Sequence, residues 1–272
     1  MNALRWIAFV MAAFAMNFPV IVTLISSFKG AREIATNPGL LIQAPTLANY
    51  AKVLTDTSRF NIYAYLYNSA VAALIGSALA LLLTLPAAYA MVRTGAGRRH
   101  LLPLVANLRA VPLVVFAIPL YMMFQFVGLL DTRLGLGLIL TIVNLPLSLM
   151  MMVNAVSDMP GEIDEAARMD RAGAFVILRR IVRPVIWPAI VTAFIFGFIT
   201  AWNEYLFGLM LTTRQAVPVT VGASFFFSAS GGGVQWGVAS AVMILGALPP
   251  AVLGMLIYRQ LTGSLTVGAV KG

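Results

Sequence analysis

The sequence predicts an all-α membrane protein with six transmembrane helices, on three observations. Hydrophobic residues fill 61% of the 272 positions and charged residues only 10%, too few to solvate a globular surface. The apolar residues gather in six runs, each long enough to supply the roughly 20 residues that a helix needs to cross the hydrocarbon core. The basic residues gather in the short segments between those runs, so the net charge of +9 reads as a topology signal and not as a nucleic-acid footprint.

The first run, at about 6–28, follows Arg5 and precedes Lys29. Its start resembles a secretory signal with small residues at Ala13 and Ala15, but the apolar character continues past any cleavage point, so it is assigned as a span. Further spans are expected at about 65–92, 101–127, 136–156, 185–211 and 237–258, in one transmembrane domain over residues 1–272. Prolines 86, 112, 119, 146, 249 and 250 predict kinks or breaks in several of them.

Alternate loops differ in Lys and Arg content. Eleven basic residues, among them Arg93, Arg98, Arg99, Arg168, Arg171 and Arg180, fall on one side and mark the cytoplasmic face. Six fall on the other: Lys29, Arg32, Lys52, Arg59, Arg133 and Arg214. Both termini are therefore expected in the cytoplasm. Arg109 lies inside the third run, where it either reaches the interface or lines a polar path.

Two connections are longer than a passive membrane protein needs. The outer one, Lys29 to Ala64, carries Pro38, Gly39, Pro45, Asn49 and Tyr50, a composition suited to a compact docking cap or to a tolerated insertion. The cytoplasmic one, about 157–183, holds Asp158, Glu162, Asp164, Glu165 and Asp170. Pro160 and Gly161 followed by carboxylates and then arginines predict a short helix with acidic groups at its positive end. Glu165 with Met169, and Ala166 with Asp170, would share faces of that helix. On physics alone the favoured reading is an amphipathic linker on the membrane surface.

Glu165, Ala166, Ala167 and Asp170, then Ile181 and Pro184, resemble the EAA loop of bacterial ABC importer permeases. Further stretches resemble the carbohydrate branch of that family, which includes the smaller membrane subunit of the maltose importer: APTLANY (44–50), IPLY (118–121), LLDTRLGLGLIL (129–140), WNEY (202–205) and the terminal GAVKG. The resemblance implies a type I ABC importer permease fold with a cytoplasmic coupling helix, in a multi-pass protein of the bacterial inner membrane. It assigns docking on an ATPase to Glu165, Ala166, Ala167 and Asp170, with Glu162, Arg171 and Gly173 around them. It implies a second permease chain, with a different chain favoured over a second copy, two ATPase subunits that carry ATP and Mg, and a periplasmic solute-binding protein. Two positions depart from the pattern. Arg171 replaces a glycine that permits a sharp turn, with Gly173 the candidate for a displaced turn, and Arg183 replaces the leucine before Pro184.

The chain has no GxxxxGK phosphate loop, so no cofactor is expected in it and energy must come from another subunit. With no cysteine, one histidine (His100) and no paired intramembrane aspartates, the sequence offers no catalytic set or metal site. The function expected is import of a sugar or sugar-like solute by alternating access. The alternative is an ion-coupled secondary transporter working without an ATPase, a class that shows internal repeats this sequence lacks. Substrate-path candidates are polar groups within apolar runs: Asn144, Trp202, Asn203, Glu204 and Tyr205, with Gln125, Asn154 and Arg109 weaker. The WNEY set offers amide, carboxylate and aromatic surfaces for sugar hydroxyls and ring faces. A structural role, a buried hydrogen bond holding the permeases or the outer gate, is the preferred reading of Glu204. Arg59 and Arg109 hint faintly at an anionic solute, and Phe225, Phe226 and Phe227 before SGGGVQW at an outer gate or an interfacial belt.

Overall fold

The computed structural model describes residues 3–57, 60–227 and 234–268. Every regular element among them is helical: α1 (Ala3–Ser27), α2 (Ala31–Thr36), α3 (Ala48–Thr55), α4 (Ile62–Thr94), α5 (Leu101–Asn107), α6 (Val114–Phe126), α7 (Arg133–Ser157), α8 (Glu162–Met169), α9 (Ala174–Ile177), α10 (Arg183–Val185), α11 (Trp187–Asn203), α12 (Leu206–Leu211), α13 (Val219–Ser224) and α14 (Trp236–Gly268). Four of these, α1, α4, α7 and α14, are long and apolar enough to cross a bilayer alone, and two bent pairs bring the number to six if each pair is one span.

The bent pairs revise two of the expected runs. Over 101–127 the chain forms one helical segment to Ala110 and a second from Val114, at 106° to each other. The cause is Pro112: Val111 before it is extended (φ −85°, ψ 127°), as the proline ring demands. Over 185–211 the helix ends at Asn203, and α12 is a separate short helix. Ahead of it, a π-helical turn at Leu178–Val182 precedes Pro184, and the segments Ala174–Val185 and Trp187–Asn203 meet at 81°.

The chain divides into two compact units, residues 1–66 with 219–248, and 67–218 with 249–272. In the first, no side chain of α1 from Arg5 to Ser26 is buried, and Trp6, Phe9 and Met16 are among those exposed, as expected of a helix that meets lipid. The segment after α1 is closed by side chains. Asn49 Nδ2 donates to the carbonyls of Ser27 (2.9 Å) and Lys29 (2.8 Å), and Tyr50 shares a 2.8 Å hydrogen bond with Ser27. The Lys29 ammonium, itself buried, donates to the carbonyls of Asn37 and Gly39, and the Glu33 carboxylate accepts from the Gln43 and Ala44 amides. Gly237 leaves room for this knot, because a Cβ there would lie 2.6 Å from Asn49 Nδ2.

In the second unit α4, α7 and α11 pack at glycines. A Cβ on Gly76 would lie 2.8 Å from Leu140 Cβ, one on Gly137 2.6 Å from Ile75 Cβ, and one on Gly197 3.3 Å from Ser77 Cβ. Small residues at such crossings let helix backbones approach closely, the main source of association where lipid removes any hydrophobic drive. Thr132 caps α7 by accepting from Gly135 N at 2.9 Å. Asn68 of α4 donates to the carbonyls of Gln215 and Val217 and accepts from Arg133 Nε at 2.6 Å.

Asp131, beside that cap, sits at φ 53° with its carboxylate in a cradle of backbone amides. It accepts from Thr213, Arg214, Gln215 and Ala216 N at 3.0–3.1 Å and from the Thr213 hydroxyl. Partial burial works to raise this carboxyl, but the amides of Gln215, Thr213, Ala216 and Arg214 outweigh it and bring it down from 3.8 to about 2. Because the folded value is depressed, the cradle contributes fully above about pH 4 and its contribution fades as pH falls towards 2. Asp131→Asn should lower stability at neutral pH by about 2 kcal/mol. Thermal unfolding of the detergent-solubilised protein should show the gap to wild type narrowing between pH 4 and pH 2.5; a gap independent of pH would assign the loss to packing.

Candidate functional site

The acidic cytoplasmic segment forms α8 as the sequence predicts, with Glu162, Asp164 and Glu165 in its first turn and Arg168 in its last, each favourable to the helix dipole. Its two faces differ. Asp164 (3% exposed) and Ala167 (8%) lie three residues apart on the inner face. Ala167 joins a buried cluster with Tyr89, Val156, Met159, Ile177, Val182 and Ile186. Asp164 forms an ion pair with Arg93 Nε from the last turn of α4, and Arg93 Nη2 donates to the Met159 carbonyl at 2.9 Å. Beyond that ion pair, neither carboxylate oxygen of Asp164 has a hydrogen-bond partner among the described residues. Removing one member would leave a buried charge uncompensated, at a cost of about 3–5 kcal/mol.

The outer face carries Glu162, Glu165, Ala166, Met169, Asp170 and Arg171, all exposed. Of the residues that the resemblance gave to docking, these outward positions lie together and Ala167 lies on the opposite face. The turn after α8 is taken by Arg171 itself at φ 58°, not by Gly173, which is extended (φ −70°, ψ 156°) and starts α9. The turn therefore stays at the position where the family pattern has glycine. Arg183 lays its guanidinium over the Trp187 ring, 5.4 Å from the centroid, which gives the replacement for leucine a packing partner.

Sequence reasoning counted Arg93 only among topology signals and Asp164 only among the acidic residues. The spacing that could have separated them was available: Asp164 and Ala167 recur at i, i+3, away from Glu162, Ala166 and Met169.

The polar groups in the apolar runs serve mostly as helix connections. Asn144, fully buried in α7, donates from Nδ2 to the Gly197 carbonyl of α11 at 3.1 Å. Trp202 is buried and stacks on Phe198 at 5.6 Å, while Asn203 bonds back to the Ile199 carbonyl of its own helix. Glu204 ends α11 in an extended conformation, and its carboxylate accepts from the amides of Phe207 (3.0 Å) and Gly208 (3.4 Å), capping α12. Tyr205 is 42% exposed. Asn154 and Gln125 are exposed, and Arg109 is exposed at the bend between α5 and α6. There it lines a cavity of about 370 Å³ whose other walls, Phe116, Ile142, Pro146 and Phe207 among them, are mostly apolar. Phe226 packs edge-on against Phe60 at 4.5 Å in the first unit. Arg59, the glycines of SGGGVQW and the last four residues of GAVKG lie outside the described residues.

Residues 76–266 match the family model described as the binding-protein-dependent transport system inner membrane component. The chain is 31% identical over 94% of its length to the sulfoquinovosyl glycerol transport system permease protein SmoH of Agrobacterium fabrum, covering 89% of it. It is also 31% identical over 94% of its length to the trehalose/maltose transport system permease protein MalG of Thermococcus litoralis, covering 91% of that chain. The fold superposes with a TM-score of 0.78 on a chain of a bacterial ABC transporter involved in import of the acidic polysaccharide alginate, at 20% identity and over 94% of both chains.

Arg171 holds a left-handed conformation that costs a non-glycine residue about 1 kcal/mol. Arg171→Gly should therefore raise the thermal midpoint by a few degrees, and Arg171→Val, β-branched at the same φ, should lower it. A glycine variant less stable than wild type would show that the arginine side chain contributes more than its backbone strain costs.

Proposed function

The chain belongs to the family of inner membrane components of binding-protein-dependent transport systems, and on that premise we propose that it carries a sugar or sugar-like solute into the cytoplasm. As a permease subunit of an ABC importer it is a translocation protein. The solute class is supported by the names of its relatives, which include systems for sulfoquinovosyl glycerol and trehalose/maltose.

The observation that carries the mechanism is the two-faced α8. Its inner face is tied to α4 and to the cluster around Ala167, and its outer face presents Glu162, Glu165, Ala166 and Asp170 unburied. In this reading the outer face docks in a groove of a cytoplasmic ATPase, its carboxylates meeting basic groups and Ala166 allowing close approach. Arg171 and Gly173 shape the exit of the chain from that contact. ATP and Mg are held by two such ATPase subunits. Their closure on nucleotide displaces α8 and shifts the permease, paired with a second permease chain, between openings to the two sides of the membrane.

The excess of Lys and Arg on the side of α8 supports a cytoplasmic position for that face and for both termini. The cap built by Lys29, Glu33 and Asn49 would then face the periplasm, where a solute-binding protein delivers its cargo. Asn144 and Glu204 act in this reading as joints of the pathway wall, since both are engaged with backbone groups. Trp202, Asn203 and Tyr205 accompany Glu204 at the end of α11, where Tyr205 offers exposed aromatic surface for a sugar ring.

Purification of the native complex through a tag on this chain should bring down an ATPase, and Glu165→Ala combined with Asp170→Ala should reduce its recovery at least tenfold while the tagged chain keeps its thermal midpoint. Absence of an ATPase from the wild-type complex would remove the importer mechanism and favour an ion-coupled transporter; recovery unaffected by the double variant would move docking to another surface.

A further inference from the structure

We propose that the Arg93–Asp164 pair is the joint through which displacement of α8 is transmitted to α4, so that helix and span move as one body. The inference rests on the docking role of α8 proposed above and adds the route by which force leaves it.

Along the chain, α8 is attached through the Asp158–Gly161 connection on one side and the turn at Arg171 on the other. Both are short non-helical connections that absorb rotation. A displaced α8 would therefore strain its own linkers unless side chains bind it to a span. The last two turns of α4 supply three such contacts. Tyr89 is buried in the cluster that also holds Ala167 of α8. One turn on, Arg93 forms the ion pair with Asp164 and donates to the Met159 carbonyl, clamping the connection that leads into α8. Tyr89 and Arg93 stand at i, i+4 and so share a face of α4.

Burial makes the pair suited to this work. Arg93 and Asp164 side chains are 13% and 4% exposed, where water and salt do not screen them as they would a surface pair. Among the described residues no other hydrogen bond reaches its oxygens, so Asp164 has no second partner there to exchange into when α8 is pushed. Above the joint α4 runs through Pro86 as one continuous helix from Ile62 to Thr94, so the turns that carry Tyr89 and Arg93 belong to the span itself. The outer face of α8 takes no part in these contacts, which separates holding the ATPase from transmitting its motion.

The chain has no cysteine, so a labelled pair can be introduced without background. Spin labels on Thr94→Cys and Arg168→Cys, both exposed positions, would report the distance between the end of α4 and α8 in the purified complex. Measurement without nucleotide and with Mg²⁺ and a non-hydrolysable ATP analogue should give one narrow distance in both states. Asp164→Asn and Arg93→Met should broaden it at least twofold or make it change with nucleotide, whereas Arg93→Lys, which keeps the charge, should preserve it. All should still co-purify with the ATPase. A distance in Asp164→Asn as narrow as in the parent in both states would overturn the joint, and so would loss of the ATPase from Asp164→Asn, since the pair would then serve docking itself. Failure of the docking reading is seen separately, as a parent complex without ATPase.

Discussion

Helices surrounded by lipid gain nothing from apolar contact with one another that they do not already have with acyl chains, so their association depends on how closely their backbones approach. In this protein that constraint falls on Gly76 and Gly137, where α4 and α7 cross at distances that leave no space for a Cβ, and on Gly197 of α11, where a Cβ would be tight against Ser77. Asn144 adds its one long polar contact at the same crossing, to the carbonyl of Gly197. The rest of the second unit is arranged around this contact. The two apolar clusters, one around Met91 and Met152 and one around Tyr89 and Ala167, are filled from α4, α7, α8 and the turns after it, and α11. The close approach of α4 and α7 thus also brings the end of α4 to the inner face of α8.

Carboxylates in this chain do different work according to what surrounds them. Asp131 and Glu204 are occupied by backbone amides, the first holding the segment after α12 and the second capping α12 itself. Asp164 is occupied by a guanidinium. Glu162, Glu165 and Asp170 stand exposed on one face of one short helix and its end. A carboxylate within a broken helix is therefore not by itself a sign of a solute path. The free backbone donors at a helix start are a sufficient reason for it. Among the described residues the exposed carboxylates of α8 have no such use, and that is the observation behind the proposal that this face docks a partner.

The family pattern and the local structure also meet at Arg171. A residue with a side chain occupies the left-handed turn that glycine would take without strain, and the turn did not migrate to Gly173. The turn there ends α8 with Asp164 against Arg93 and Ala167 in its cluster.

Composition and the spacing of apolar runs determined by themselves that this is a helical membrane protein, because a chain with so few charges has no other solvent, and every buried backbone must then bond within its own helix. The order of proline, carboxylates and arginines determined α8, since capping and dipole effects act within one turn. The breaks in the third and fifth runs were only partly legible: Pro112 announced one, but the end of α11 at Asn203 follows from the Glu204 carboxylate finding the amides of Phe207 and Gly208, which hydropathy does not register. What only the tertiary structure decided is which side chain meets which across distant segments. Arg93 with Asp164, Asp131 with the amides of 213–216, and Asn144 with Gly197 each join groups far apart in sequence. Pairing of that kind depends on how helices cross, and a crossing is set by volumes at contact, not by local propensity.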